Sequence, residues 1–262
     1  MTAQGNFLAT GKTGTIGRHL SQNINSLDID LLRIREFKGN LNNQTIIHLA
    51  GSVGIQKVQR DPILSHAVNV DGTFELAERA LSDGCLKFIF VSTCHVYAPK
   101  DGLLNEDDNL DPINEYALQK FYAEQGLLKI YSQRPNQLLI LRVFSVLDLY
   151  TKRESLGGQV RALLEGHEQT IIRNSSDLRD FMTPKQVATA IEELATKHSI
   201  SETILNICTS KKTTVQQAVK KLVGSELFES LKDRIIPGHS QNPVIVGDSS
   251  LLKKYVPIES VF

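Results

Sequence analysis

The chain has 262 residues, 41% hydrophobic and 22% charged, with 29 Lys and Arg against 29 Asp and Glu. This is an ordinary globular composition with room for one large domain or two unequal ones. The zero net charge speaks against the broad positive field that a nucleic-acid or membrane-surface partner needs, and no run approaches the roughly 18 apolar residues of a membrane span.

Three dispersed cysteines, Cys85, Cys94 and Cys208, suit neither a disulfide framework nor a metal site, so a reduced, cytoplasmic setting without metal is expected. The opening stretch MTAQGNFLATGKTG lacks the charged start and long apolar segment of a signal peptide. Residues 6–10 read as a strand, followed by a glycine-rich turn and an amphipathic helix from Ile16 to about Ile24. Strands are expected at 29–34 (IDLLRI) and 45–50 (TIIHLA). Apolar spacing of three and four predicts a helix from Pro62 that stops at Gly84. LKFIFVS (86–92) reads as a strand, 114–134 as a long helix halted by Pro135, and NQLLILRVF (136–144) as another strand.

Beyond about residue 150 the pattern weakens. GGQVRALLEGHE looks helical, a turn at Thr183-Pro184 opens a helix that runs to His198, and TILNIC (203–208) is a strand. TTVQQAVKKLVG is a helix capped by Thr213 or Thr214, and the tail carries a strand and a short helix. Strands alternating with helices imply an α/β fold, a Rossmann-like doubly wound parallel sheet. Residues 1–150 are expected to form a dinucleotide-binding domain, with about 181–209 returning to it. Residues 151–180 and 210–262 would form a small C-terminal substrate-capping region.

In TGKTGTIG, Gly11, Gly14 and Gly17 follow a strand at spacings of three, the setting in which backbone approaches a pyrophosphate. Gly11, Thr13, Gly14, Thr15, Ile16 and Gly17 are therefore candidate cofactor contacts. An acidic residue about 20 positions later would hold a free ribose 2′-hydroxyl. Here that neighbourhood holds Arg35, with Lys12 as a second cation, which favours NADP(H); Glu36 leaves NAD(H) open.

TGKTGTIG, HLAG (48–51), NVDGT (69–73), FVSTCHVY (90–97), YALQK (116–120), LRVFSV (141–146) and LRDFMTPKQVA (178–188) occur in an order that resembles the extended short-chain dehydrogenases/reductases. Within them, the set is similar to the NAD-dependent epimerase/dehydratase group that acts on nucleotide sugars. The resemblance implies that His48, Leu49, Ala50, Gly51 and Asn69 lie near the cofactor. It also implies a homodimer formed through the helices at 62–83 and 114–134.

Tyr116 and Lys120 lie four apart and share a helix face, where an ammonium would stabilise a phenolate acting as catalytic base. Thr93 stands at the family's Ser/Thr position and would bind the reacting substrate oxygen, with Ser92 as the alternative. Cys94 and His95 occupy places that look like Asp-Glu in 4,6-dehydratases, so dehydration is not expected. His95 is either a second acid/base or a ligand to a sugar hydroxyl. Arg179 falls where the family contacts nucleotide diphosphate, unless Asp177 or Asp180 pairs with it.

Several places depart from the family pattern. The 37–44 segment is short, and Asn40-Leu41 is the candidate for its adenine-touching pair. Ser145 replaces an Asn, and the tail lacks a cationic Arg, leaving His239 nearest. The expected function is that of an NAD(P)-dependent sugar-nucleotide epimerase or related oxidoreductase. The alternatives are an NADPH-dependent 4-keto-sugar reductase and a non-catalytic dinucleotide sensor.

Overall fold

The computed structural model describes residues 6–167, 169–197 and 199–262. Met1–Gly5, Glu168 and His198, on which the reading of the N-terminus and the far ends of two predicted helices fall, lie outside the described residues.

In chain order the first half runs β1 (Asn6–Thr10), β2 (Ile24–Ser26), β3 (Gln44–His48), α1 (Ile55–Arg60), α2 (Pro62–His66), a π-helical segment (Ala67–Asp71), α3 (Gly72–Asp83), β4 (Lys87–Thr93) and α4 (Glu115–Ile130). β5 (Leu138–Val143), β6 (Ser145–Val146), α5 (Leu156–Leu164), β7 (Leu178–Arg179), β8 (Phe181–Met182), α6 (Pro184–Thr196) and β9 (Ile204–Ile207) follow. The chain then runs through β10 (Thr213–Thr214), α7 (Val215–Val223), α8 (Ser225–Leu231) and β11 (Val244–Ile245). Six strands form one parallel sheet in the order β2-β1-β3-β4-β5-β9. The expected α/β class and parallel sheet are present. β7, β10 and β11 form a small three-stranded sheet, and β6 pairs with β8.

The short apolar runs become strands buried on both faces. On one face α3 and α4 set Leu76, Ala77, Ala80, Ala123 and Leu127 against Ile46, Phe88, Phe90, Leu138 and Ile140. On the other, α6 sets Val187, Ala188, Ile191 and Leu194 against Ala9, Ile47, Ile89, Leu139 and Leu141. Each large apolar side chain buried in this way contributes about 1.5–3 kcal/mol. α6 begins with a capping box between Thr183 and Gln186, and Thr214 rather than Thr213 caps α7 in the same way. α3 stops as expected at Gly84, whose φ of +86° gives the left-handed cap that glycine adopts without strain.

Two expectations fail at the N-terminal edge. The helix expected from Ile16 to Ile24 is a single 3-10 turn, Gly17–His19, and the second strand is Ile24–Ser26 rather than 29–34. The reason is length. A helix returning along a five-residue strand needs about eleven residues at 1.5 Å rise. The glycine turn leaves too few before Ile24, which pairs with Phe7. The chain instead returns in a more extended form. Lys12 Nζ holds that return by donating to the carbonyls of Ser21 and Ile24. Residues 29–34 become loop leading into a 3-10 turn, Ile34–Glu36, with Leu31 and Ile34 plugging the α3 side of the core.

Candidate active site

The sheet order reverses direction between β1 and β3, so a crevice forms beyond their carboxyl ends, where ligands of open α/β sheets bind. The glycine turn forms one rim. Gly11 has φ +69°, and a Cβ there would sit 2.7 Å from Ala50 N, so only glycine lets the two rims approach. A Cβ on Gly17 would lie 2.7 Å from Lys12 Cα, which keeps the turn tightly folded; Gly14 N donates to Gly11 O at 2.9 Å. Thr13, Thr15 and Ile16 lie on this same turn.

The opposite rim is Leu49, Ala50 and Gly51. A buried chain of hydrogen bonds ties it to the first rim. Ala50 N donates to Thr10 Oγ1 at 3.1 Å, and Thr10 Oγ1 lies 2.7 Å from His48 Nδ1. His48 Nε2 lies 3.1 Å from Thr73 Oγ1, which donates to the Asn69 carbonyl at 2.8 Å. The donors run in one direction only if His48 is neutral with its proton on Nε2, which satisfies every group in the chain. Burial, helped by the charge of Lys120, drops the His48 pKa to about 3, so it stays neutral. The sequence placed His48 near the cofactor only as part of HLAG, and it gave Thr73, on the first turn of α3, no role.

Asn69 sits in the π-helical segment with its amide fully engaged. It accepts from Ser52 N at 2.7 Å and donates to Ser52 O at 3.0 Å and to Gln119 Oε1 at 2.8 Å. In this arrangement it shapes the Gly51-Ser52 rim, and its amide group has no donor left for a ligand.

Arg35 is not at the end of the second strand. It lies nine residues past Ser26, 87% exposed, and pairs with Glu75 at 3.1 Å. Two residues beyond β2 stands instead Asp28, exposed and accepting from Ser26 Oγ at 2.8 Å. With the helix missing, the end of β2 arrives eight residues earlier in the chain than the strand expected at 29–34. Lys12, spent on backbone carbonyls, is no second cation for a ribose phosphate. Asn40-Leu41 lies at the amino end of β3, away from the crevice. Asn40 Oδ1 accepts from Asn42 N at 2.7 Å, and Leu41 is core.

On the far side of the crevice, α4 starts from Asn114, whose side chain accepts from Ala117 N, and packs along β4. Tyr116 and Lys120 share its inner face. Lys120 Nζ donates to Val91 O at 2.9 Å and lies 4.4 Å from the centre of the Phe90 ring. Burial lowers the Lys120 pKa to about 8, against an upward pull from Glu124. Tyr116 departs from expectation. Burial, with a smaller push from Cys94, raises its phenol above the ordinary value, so the protein alone holds a neutral phenol and not a phenolate.

Thr93 ends β4 and caps the 3-10 turn Cys94–Val96, accepting from His95 N at 3.3 Å. Ser92 points to the other face and donates to Glu124, so it is not available as the alternative to Thr93. Cys94 is a buried thiol raised to about 12 by burial, as expected of a packing residue. His95 has a buried Nδ1 without a partner, and burial followed by the charge of Arg179 lowers it to about 4. Arg179 itself is drawn inward. Its guanidinium bonds Asp177 at 2.9 Å and the carbonyls of Leu178, Pro243 and Asn242, so its expected diphosphate contact is not preformed. His239 joins the same carboxylate at 3.4 Å.

A segment after β6 is bonded to both rims. Asp148 pairs with Arg18 at 2.7 Å on the glycine-turn rim, and Lys152 Nζ donates to Val53 O at 2.8 Å on the other. A surface hollow of about 580 Å³ between α3 and the end of α4 lies away from all of these groups and carries none of the chemistry. Among the described residues no cluster of metal-ligating side chains occurs, and no helix is long and apolar enough to cross a membrane.

The model of the NAD dependent epimerase/dehydratase family matches residues 30–208. The chain belongs to that family. UDP-glucose 4-epimerase 2 of Oryza sativa subsp. japonica is 25% identical over 217 residues, covering 73% of this chain and 52% of the relative. The UDP-glucose 4-epimerase of Rhizobium meliloti is 31% identical over 117 residues, covering 44% and 36%. The chain thus spans about half, or less, of these relatives. Among solved structures, MoeE5 in complex with UDP-glucuronic acid and NAD superimposes with a TM-score of 0.80 at 22% identity, over 98% of this chain and 94% of the other. The UDP-glucose 4-epimerase of Thermotoga maritima with UDP-glucose gives 0.78 at 23%, over 95% and 91%. These likenesses show the Rossmann-type fold.

Proposed function

We propose that the protein is an enzyme, an NAD-dependent sugar-nucleotide epimerase or a closely related oxidoreductase. The observation that carries this reading is the placement of half-buried Tyr116 and buried Lys120 one turn apart on α4, with Lys120 bonded to the strand that ends in Thr93.

A glycine turn after β1 is the setting in which backbone approaches a pyrophosphate, and Gly11 and Gly17 keep it tight because a Cβ on either would strike the neighbouring backbone. Asp28 beyond β2 supports NAD over the NADP expected from Arg35, since a carboxylate binds a free 2′-hydroxyl and repels a phosphate. When bound, the nicotinamide supplies a reversible hydride acceptor and, when oxidised, a positive charge.

The chain's own residues do the rest. Thr93 Oγ1 holds the substrate oxygen that becomes a carbonyl. Tyr116 takes the proton from that oxygen and returns it after the sugar is reset. Burial alone disfavours the phenolate, so the proton leaves only when positive charge stands beside the ring. Lys120, still largely protonated near neutral pH, supplies part of that charge. His95, neutral with an unpartnered Nδ1, either takes a proton from the carbon beside the transient ketone as a base or accepts a hydrogen bond from a sugar hydroxyl. Arg179 reaches a diphosphate by exchanging its bond to Asp177. The three free, buried thiols support a cytoplasmic setting, and exposed Ile63, Leu64 and Tyr122 on α2 and α4 support a homodimer.

Tyr116→Phe tests the reading on a panel of nucleotide sugars. Loss of a general acid–base should lower turnover by about 10²–10⁴-fold while NADH binding is kept. Unchanged turnover would overturn it. Consumption of reduced dinucleotide in step with substrate would make the enzyme the 4-keto-sugar reductase instead.

A further inference from the structure

We propose that Glu124 is a positioning residue for this chemistry: its buried carboxylate, gripped by Ser92 and Arg142, fixes α4 on the sheet one helical turn beyond Lys120. The proposal rests on the roles given to Tyr116 and Lys120 above.

Tyr116, Lys120 and Glu124 recur every four residues and so form one stripe along α4. Glu124 is fully buried and Arg142 is 2% exposed. The carboxylate accepts from Ser92 Oγ on β4, and from Arg142 Nη2 at 2.8 Å and Nε at 3.2 Å on β5. Ser92 and Arg142 are opposite one another in the β4–β5 register. One helix residue therefore grasps two neighbouring strands at matched positions, and α4 cannot slide or turn without breaking both bonds. Ser92 also adjoins Thr93, so the clamp sets the helix against the strand end that carries the substrate-oxygen contact.

The far side of Arg142 is fixed as well. Nη1 donates to Glu106 O at 3.1 Å, and the guanidinium lies 4.8 Å from the centre of the Tyr97 ring. Tyr97 Oη in turn donates to Asn206 at 2.7 Å. Holding a helix to a sheet does not require ions. Buried ion pairs are costly to desolvate, and apolar residues of similar volume often hold as well or better. What apolar packing cannot provide is direction and charge.

Lys120 is where the charge is felt. The titratable and charged groups facing it are Glu124 and Tyr116 from α4 and His48 from β3, with Arg142 of β5 behind Glu124. His48 is neutral, and Arg142 is already matched by the carboxylate. Glu124 is the group of opposite sign, and it opposes the burial that otherwise strips the Lys120 proton.

Removing one partner alone would strand a buried ion, so the main test is the double variant Glu124→Gln/Arg142→Met, with Glu124→Asp beside it. The Lys120 titration is read in the NADH-bound protein by NMR of ε-¹³C-labelled lysine, assigned with Lys120→Met. The double variant should lower the Lys120 midpoint by one pH unit or more. It should lower kcat tenfold or more with KM little changed, and move the alkaline limb of the rate profile down. Glu124→Asp keeps the charge but shortens the clamp, so it should restore the midpoint and not the rate. A double variant that melts cooperatively with an unshifted midpoint and unchanged kcat overturns the proposal. If it does not melt cooperatively, wild-type kcat in Glu124→Asp overturns the positioning role. A shifted midpoint with no wild-type turnover on any nucleotide sugar sinks the catalytic assignment and leaves the hold of Glu124 on Lys120 standing.

Discussion

β1 leads through a glycine turn and one 3-10 turn to a three-residue edge strand, whereas β4 leads to a 16-residue helix clamped to two strands by a buried ion pair. Both units flank the same crevice. The first has lost its helix, and the family match begins only at residue 30, after it. What survives is the steric core of the turn, where glycines let Gly11 and Ala50 backbones meet. The second keeps everything. The difference teaches that a dinucleotide rim can be sustained by backbone contact and a polar chain through His48, whereas proton chemistry needs side chains held by a full helix.

The comparison can be strained first with acid. His48 on the first unit and His95 on the second have folded values of about 3 and 4, against an ordinary 6.5. Between those limits the unfolded chain binds the protons, so stability should fall as pH drops from about 6.5 towards 4. The slope should approach ~1.4 kcal/mol per pH unit for each histidine. Urea midpoints measured from pH 7 to 4 check this, and a flat profile breaks the picture of two neutral buried imidazoles.

Next comes Gly17→Ala. Its Cβ would meet Lys12 Cα at 2.7 Å, so the turn must open. Strain on the order of 1–3 kcal/mol should weaken NADH binding about 10–100-fold, measured by fluorescence titration. Normal affinity would mean that the trimmed unit does not hold the dinucleotide.

Asp28→Ala should weaken NAD⁺ binding by roughly tenfold and leave NADP⁺ no worse, the effect of losing one charged hydrogen bond. Calorimetric titration with both dinucleotides decides it. The smallest effect is expected from Arg35→Ala, whose pair with Glu75 is mostly solvated. Stability should change by less than about 0.5 kcal/mol, with dinucleotide preference unmoved. A loss of NADP⁺ binding would return Arg35 to the site.

The strands of the sheet's interior were readable because burial on both faces leaves unbroken apolar runs, as in LKFIFVS and NQLLILRVF. The helix Pro62–Gly84 was readable as a whole, although its π-helical segment around Asn69 leaves no periodic trace. The missing helix after β1 was not readable, because GRHLSQNI has acceptable helical spacing and the limit is the distance back to Phe7. That Tyr116 and Lys120 share a helix face and that Thr93 ends a strand was legible from spacing and order. Glu124 and Arg142 were not, because each is an ordinary charge in sequence and only the register of β4 with β5 shows them sharing a partner. Arg179 was legible as a residue with two candidate partners, a diphosphate or Asp177 or Asp180; the turn that closes through Ser240 selects Asp177.

The span from Asp148 to Lys152 touches one lip of the crevice through Arg18 and the other through Val53. One tether is a partly exposed ion pair and the other a donor to a backbone carbonyl, so added electrolyte should loosen the Arg18 side of this strap before the Val53 side.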